Sequence, residues 1–482
     1  MKQHVSFFRF MQAGGLLILC FQIFNLNAQQ QRRTNDGTLR QESVFKTTVP
    51  THLYDVVLTR PTAMSITVSL LFYENKEVRI AYGISSTQGL GTNFFKCTAG
   101  EPIEIVLNDL KPDTRYLYCI ISKTGEILSG EPLRFHTQRA PTSDFTFTIT
   151  SDSHLDENTD TETYKTTLLN AAGDSADFHF DLGDTFMTDK YREEYKKAFY
   201  QYLAHRYYFG LLCQSSPLFF VQGNHDGESG QFLNGREDNR AVWANKTRVT
   251  YFPNPVPNHF YSGNSTEIPF MGLPQDYYSF EWGNALFVVL DPFLFSTRSG
   301  NDDPWGRTLG KEQYEWLKLT LEHSKAIFKF VFIHNLVGGV DLKGRGRGGA
   351  EVAKLYEWGG QNPDGTDGFK SNRPGWEMPI HDLLKKYHVS AVFHGHDHVF
   401  AHQEKDGIVY QCLPQPGAFK TGSVKFAEEY GYATGSLWND AGYLRMKVTQ
   451  KGTTLDYVGT NISDVSKNKK TIDTYEISPY KP

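Results

Sequence analysis

The sequence predicts an α/β (α+β) domain in which a layered β-sandwich is flanked by helices, preceded by a small all-β sandwich. Two observations support this fold class. Residues 45–138 contain short runs of alternating apolar and polar residues separated by turns, as in antiparallel β-structure. After the hinge at Arg139-Ala140-Pro141-Thr142, apolar strand-like runs alternate with helical stretches, as in layered α/β domains.

The first part of the chain is expected to be a β-sandwich over residues 45–138. Ser65–Leu70, Glu77–Tyr82 and Ile103–Leu107 have the alternation of half-buried strands. Leu110–Tyr118 resembles the turn and following strand of fibronectin type III domains. This resemblance concerns the fold alone, because such sandwiches carry many functions.

The second domain is predicted to cover residues 144–460. Its first half alternates strands with helices near 160–172 and 189–212; the strands are Phe145–Ile149, Phe178–Phe180 and Leu218–Val221. Its second half is predicted to contain a hairpin at Tyr277–Leu290, helices near 310–323 and 377–387, and strands at Phe328–Ile333, Val389–Val392, Ile408–Cys412 and Tyr443–Val448. Residues 227–275 and 336–375 are expected to be surface excursions, and residues 461–482 a C-terminal extension.

The N-terminus is typical of an export signal. Lys2 and Arg9 precede an apolar stretch at Gly14–Phe24, and Leu26-Asn27-Ala28 is a plausible cleavage site. We therefore expect a signal peptide at 1–28, a flexible lead-in at 29–44, and export to the periplasm or the extracellular space. No other stretch is long enough to span a bilayer.

Composition narrows the range of partners. The formal net charge of −5 is small for 482 residues, so no broad polyanion-binding surface is expected, and we expect no nucleic-acid partner. Cys97 and Cys119 lie in the predicted sandwich and either form a disulfide in an oxidising compartment or are small buried side chains.

Chemically versatile side chains follow the apolar strands of the second domain. They are Asp152 and His154, then Asp184, then Asn224, His225 and Asp226, then His334, and finally His396 and His398. The carboxyl ends of strands in an α/β sheet lie together, so these side chains should converge. Even with His225 set aside, the set is too large for one tetrahedral zinc, and it suits two metal ions that share a carboxylate.

In this order, the patterns D-x-H, G-D, G-N-H-D, a lone His after a strand, and G-H-x-H resemble the calcineurin-like metallophosphoesterase superfamily. The resemblance implies hydrolysis of small phosphate esters by a hydroxide held between two metals. It implies one metal on Asp152, His154 and His398, and another on Asn224, His334 and His396, with Asp184 bridging them. It also implies that His225 faces the substrate as general acid or phosphate donor, oriented by Asp226.

A sandwich followed by such a domain also resembles purple acid phosphatases, but two residues depart from their pattern. His154 stands where those enzymes have glycine, and Met187 stands where a tyrosine ligates ferric iron. A thioether cannot supply a phenolate, so no iron–tyrosinate colour is expected. The two metals are therefore expected to be Mn, Zn or Fe.

Some residues near these motifs have two interpretations. His394, His179 and Asp181 are expected to pack or to support the ligands rather than bind metal. Arg345 and Arg347 lie on a glycine-rich loop that either clamps phosphate or is a solvated loop.

The leading hypothesis is an exported phosphomonoesterase. A phosphodiesterase or nucleotidase, or a secreted binding protein with a vestigial metal site, are the alternatives.

Overall fold

A computed structural model describes residues 44–87, 89–296, 303–342, 344–418 and 424–480, with two short strands before them. These strands, β1 (Arg32–Arg33) and β2 (Leu39–Arg40), pair with each other in antiparallel orientation. The predicted signal peptide at 1–28 and most of the predicted lead-in at 29–44 lie outside the described residues. Within the described ranges, no helix has the length and apolar character that crossing a membrane requires.

Residues 54–136 form two antiparallel sheets. Their strands are β3 (Tyr54–Thr59), β4 (Ile66–Phe72), β5 (Lys76–Gly83), β6 (Leu90–Gly91), β7 (Phe95–Cys97), β8 (Ile103–Leu107), β9 (Arg115–Ser122) and β10 (Leu133–His136). One sheet has the order β3-β4-β8, and the other has the order β10-β9-β5-β6 with β7 also paired to β5. Tyr116 packs in the core between them, and its hydroxyl accepts a hydrogen bond from the backbone N–H of Lys111.

The strands of the second domain are β11 (Phe145–Thr150), β12 (Phe178–Asp181), β13 (Leu218–Phe220), β14 (Ser262–Gly263), β15 (Tyr278–Trp282), β16 (Ala285–Val289), β17 (Phe328–Phe332), β18 (Ala391–His394), β19 (Phe400–Lys405), β20 (Ile408–Cys412), β21 (Ser436–Trp438), β22 (Gly442–Val448), β23 (Thr453–Gly459) and β24 (Lys470–Ile477). They form a six-stranded sheet, β13-β12-β11-β22-β23-β24, and an eight-stranded sheet, β14-β15-β16-β17-β18-β20-β19-β21. Strands β11, β12 and β13 are parallel, as are β16, β17, β18 and β20.

The two sheets enclose a core dominated by phenylalanine. Phe147 and Phe180 project from the first sheet and contact Phe287 and Phe332 of the second, with the rings of Phe180 and Phe332 stacked at a centroid distance of 4.0 Å. Flat aromatic side chains on both inner faces bury large apolar areas and pack in offset or edge-to-face pairs. This core fixes the positions of the strand ends that carry the polar residues.

Helices cover both outer faces of this sandwich. They are α1 (Thr161–Ala172), α2 (Phe199–Cys213), α3 (Arg240–Tyr251), α4 (Lys311–His323), α5 (Tyr356–Gly359), α6 (Phe369–Asn372), α7 (Ile380–Lys386) and α8 (Lys425–Glu429). Helices α1 and α2 pack on the six-stranded sheet, while α4 and α7 pack on the eight-stranded sheet. The result is the helix-flanked sandwich that the sequence predicts.

The structure corrects one expectation about an individual element and adds an element within each of two predicted segments. The predicted helix at 189–212 is a 3₁₀ segment at Thr188–Ala198 followed by α2, because Arg192 interrupts the first part with a positive φ of 51°. The excursion at 227–275 contains α3, whose first turn is capped by the Asn239 side chain. The predicted C-terminal extension contributes β24, which pairs with β23 at the edge of the six-stranded sheet.

The cysteines of the described chain are all free and buried. Cys97 and Cys119, which the sequence left open as a pair, therefore pack as small side chains.

Candidate metal centre

The polar residues that follow the parallel strands lie together at one edge of the sandwich. Strands β11, β12 and β13 lead to Asp152, Asp184 and Asn224, and strands β17 and β18 of the other sheet lead to His334 and His396. Two contacts join the sheets here. The backbone N–H of His396 donates to Asp152 at 2.9 Å, and Nδ1 of His334 donates to the carbonyl of Leu182 at 2.8 Å.

One group of potential metal ligands consists of Asp152, His154 and His398. Each offers one ligand atom, and the three atoms lie within 4.8 Å of one another. Asp152 Oδ1 is 3.7 Å from His154 Nε2 and 3.4 Å from His398 Nε2. Asp152 Oδ1 and His154 Nε2 are buried without a hydrogen-bond partner, which is costly unless a cation binds there.

His154 is held with its free nitrogen toward this group. Its Nδ1 donates to Asp156 at 3.2 Å, which leaves Nε2 as the metal-facing atom. A carboxylate behind a ligating histidine is common in metal sites because it fixes the ring and its tautomer. Burial by itself would lower the pKa of His154, but Asp152 and Asp156 raise it to about 10. Nε2 therefore carries a proton in the metal-free protein.

The second group consists of Asp184, His334 and His396, whose ligand atoms also lie within 4.8 Å of one another. Nδ1 of His334 faces a carbonyl oxygen, which can only accept, so Nδ1 carries a proton and Nε2 is the nitrogen that can bind a metal once it is deprotonated. Asp184 Oδ2 and Asn224 Oδ1 both lie 3.2 Å from this Nε2. Burial lowers the pKa of His334, but Asp184 and Asp152 raise it to about 9, so a proton occupies Nε2 in the metal-free protein and a cation can take its place. His396 lies beside these residues with both ring nitrogens buried and unpartnered.

Asp184 lies between the two groups. Its Oδ2 is 3.2 Å from Nε2 of His334 and 3.9 Å from Nε2 of His154, while its Oδ1 accepts the backbone N–H of His225 at 2.7 Å. Burial would raise the pKa of Asp184, but the neighbouring His334 and His225 outweigh burial and hold it below its usual range. A carboxylate placed in this way can contact two cations at once.

The backbone around these ligands is strained. Five of the seven predicted ligands have a left-handed φ between 40° and 70°; these are Asp152, His154, Asp184, His396 and His398. Each such residue costs roughly 1–3 kcal/mol and persists only where its surroundings determine it fully. Gly395 shows how close the packing is, because a Cβ there would lie 1.9 Å from Ser151 Oγ and 2.4 Å from Asp152 Oδ2. The strained backbone is therefore that of the ligand residues themselves.

His225 lies at the edge of the centre, and the residue that contacts its ring is not the one that the sequence analysis expected. Its Nδ1 lies 3.0 Å from both carboxylate oxygens of Asp189, and its Nε2 lies 3.9 Å from Asp184 Oδ2. Asp226, which the sequence predicted to orient His225, instead accepts the backbone N–H groups of Gly223, Asp184, Thr185 and Phe186. Asp226 therefore supports the loop, and Asp189 supports the ring.

The remaining candidates have structural partners. His179 is hydrogen-bonded through both ring nitrogens to Thr148 and Thr150, and burial lowers its pKa to about 3. Asp181 accepts from Thr150 and Thr185 behind Asp184, and burial raises its pKa to about 7. His394 is buried and belongs to neither group, and burial lowers its pKa to about 4. Within the described residues, none of the three belongs to either group of potential metal ligands.

Comparison with protein families identifies the domain. The family model for calcineurin-like phosphoesterases matches residues 145–400, which contain all nine candidate site residues. The chain belongs to the calcineurin-like phosphoesterase family. It is therefore a metallophosphoesterase, and its two groups of ligands fit a dinuclear centre. No curated protein sequence matches the chain.

Solved structures share the whole fold. PhoD is 15% identical with a TM-score of 0.60, and the similarity covers 88% of each chain. A purple acid phosphatase from yellow lupin (Lupinus luteus) seeds is 15% identical with a TM-score of 0.56, covering 88% of this chain and 74% of that one. At this identity the likeness establishes the fold, including the N-terminal antiparallel sheets. Met187, at the position where the tyrosine of the purple acid phosphatase pattern is expected, is buried and offers only a thioether.

Proposed function

We propose that this protein is an exported phosphomonoesterase that requires two metal ions. One observation carries the proposal: Oδ2 of Asp184 and Oδ1 of Asn224 both lie 3.2 Å from Nε2 of His334, next to a second group with unpartnered buried ligand atoms. When bound, two cations would supply positive charge for the phosphate oxygens and lower the pKa of a coordinated water. The donor set of carboxylates, imidazoles and one amide suits Mn, Zn or Fe.

The chain's own residues would then perform defined tasks. Asp184 would hold both cation positions at a fixed separation, because its Oδ2 faces both groups. His225 lies outside the ligand set, with Nδ1 held by Asp189 and Nε2 facing Asp184, so its ring can donate a proton to the leaving oxygen of an ester. The buried strand ends around Asp152 and His396 exclude bulk water from the back of the centre.

Phosphate monoesters are the proposed substrates. Similarity of fold to a purple acid phosphatase favours monoesters, and the sandwich before the domain is shared with it. Export is proposed from the basic and apolar N-terminal segment alone.

A substrate comparison tests the proposal. Wild-type protein should hydrolyse p-nitrophenyl phosphate faster than bis-p-nitrophenyl phosphate, and Asp184→Asn and His225→Ala should each abolish most turnover. The matched control is Asp238→Asn, an exposed aspartate on the surface near α3. Faster hydrolysis of the diester would overturn the monoesterase assignment and favour a phosphodiesterase. Full activity in both site variants would overturn the catalytic account.

A further inference from the structure

One turn of the chain supplies both groups of ligands. His396 belongs to one group and His398 to the other, with only Asp397 between them. Both histidines have a left-handed backbone, with φ of 70° and 57°. A turn of this kind needs contacts from outside itself to keep its shape.

Asp397 makes such contacts. Its side chain is buried, and its carboxylate accepts three hydrogen bonds: from Arg347 Nη1 at 2.9 Å, from the backbone N–H of Gly348 at 2.8 Å and from the Tyr432 hydroxyl at 2.8 Å. These donors come from two separate segments of the chain. The residue between the two histidines therefore anchors their turn to the glycine-rich loop and to the segment after α8.

Arg347 contacts the same turn a second time. Its Nη1 also donates to the backbone carbonyl of His396 at 2.9 Å, and its guanidinium lies over the Tyr430 ring at 4.3 Å. A single guanidinium nitrogen thus bonds both the ligand residue's backbone and the neighbouring carboxylate. Arg345, two residues earlier, has a largely exposed side chain and pairs with Asp341 of its own loop.

We propose that Arg347 and Asp397 form a positioning pair that sets the orientation of the His396 and His398 imidazoles, so that the glycine-rich loop controls cation affinity at both positions. This proposal rests on the proposed function, in which both groups of ligands hold cations. It assigns Arg347 to the support of the ligands and not to a contact with the substrate phosphate. The pair touches no ligand side chain directly; it acts through the backbone of the turn.

Metal affinity distinguishes a role of Arg347 in positioning the ligands from a role in contacting the substrate phosphate. Metal-free protein is titrated with Mn²⁺ against a competing chelator for wild type, Asp397→Asn, Arg347→Met and the double variant. Loss of a group that orients a ligand lowers metal affinity roughly 10- to 100-fold. Each single variant should show a loss of about that size, and the double variant should lose much less than the product of the two. At saturating Mn²⁺, the KM for p-nitrophenyl phosphate should stay near the wild-type value.

Further variants separate positioning from general destabilisation. Arg345→Ala, on the same loop, should leave Mn²⁺ affinity unchanged, and Arg347→Lys should recover part of it. Tyr432→Phe removes one hydrogen-bond donor to Asp397 without removing a charge, so it should give a smaller loss of Mn²⁺ affinity. This variant tests the proposal if Asp397→Asn and Arg347→Met fail to fold. Unchanged Mn²⁺ affinity with a raised KM in Arg347→Met would overturn the proposal and make Arg347 a substrate clamp. Wild-type protein that binds no cation would overturn the proposed function itself.

Discussion

Asp189 provides a sharp test of the role of His225. Both of its carboxylate oxygens lie 3.0 Å from Nδ1, so the carboxylate holds the ring with Nε2 on the side of Asp184. Hydrogen bonds to charged groups contribute about 1.5–3 kcal/mol, and about 1.36 kcal/mol corresponds to a tenfold change in rate. Asp189→Ala should therefore lower kcat about 100-fold. Asp189→Asn keeps one accepting oxygen without the charge and should lower kcat about tenfold.

The assay compares two leaving groups. A general acid matters most when the leaving oxygen is basic, so both variants should lose more activity with phenyl phosphate than with p-nitrophenyl phosphate. Asp238→Asn is the control, because its exposed carboxylate pairs with Lys196 and not with the centre. A kcat for Asp189→Ala within twofold of wild type with both substrates would refute the role given to His225 and Asp189.

Two further predictions concern protonation and the loop. Burial alone would lower the pKa of His154 and His334, but nearby carboxylates raise them to about 10 and 9 in the metal-free protein. Metal ions require the deprotonated rings, so Mn²⁺ affinity should fall steadily as pH decreases below about 9. The protons released on binding can be measured by calorimetry in buffers of different ionisation enthalpy. A Mn²⁺ affinity independent of pH between 6 and 9 would contradict these assignments. Asp226→Ala leaves four backbone N–H groups without their acceptor. It should therefore lower the free energy of unfolding, measured by urea denaturation, by about 3 kcal/mol. An unchanged midpoint and slope of the urea transition would contradict the role of Asp226 in supporting the loop.

The sequence was sufficient for the strands that lead to the ligands and for the ligand residues that follow them, because both are local features. Apolar runs such as Phe328–Phe332 are long enough to identify a strand, and the residue after the strand is then placed at the sheet edge by topology. Asp184 and His334 could be identified as site residues without knowing any tertiary contact. The division of His396 and His398 between two groups was implied by the family resemblance alone, and the structure places them in two groups.

The supporting contacts are not local, and the sequence did not reveal them. Asp189, which contacts His225, lies in the kinked 3₁₀ segment Thr188–Ala198, where the sequence pattern predicted a regular helix. The family resemblance implies that Asp226 orients His225, but the Asp226 side chain accepts hydrogen bonds from the backbone of the Asp184 loop. Arg347 meets Asp397 through a glycine-rich loop whose path no local pattern specifies.

The most direct test of the central claim is the metal content of the purified protein measured together with its activity. We expect two equivalents of transition metal per chain, loss of p-nitrophenyl phosphate hydrolysis when a chelator removes them, and recovery of activity when Mn²⁺, Zn²⁺ or Fe²⁺ is restored. Full hydrolysis by protein shown to be metal-free would contradict it.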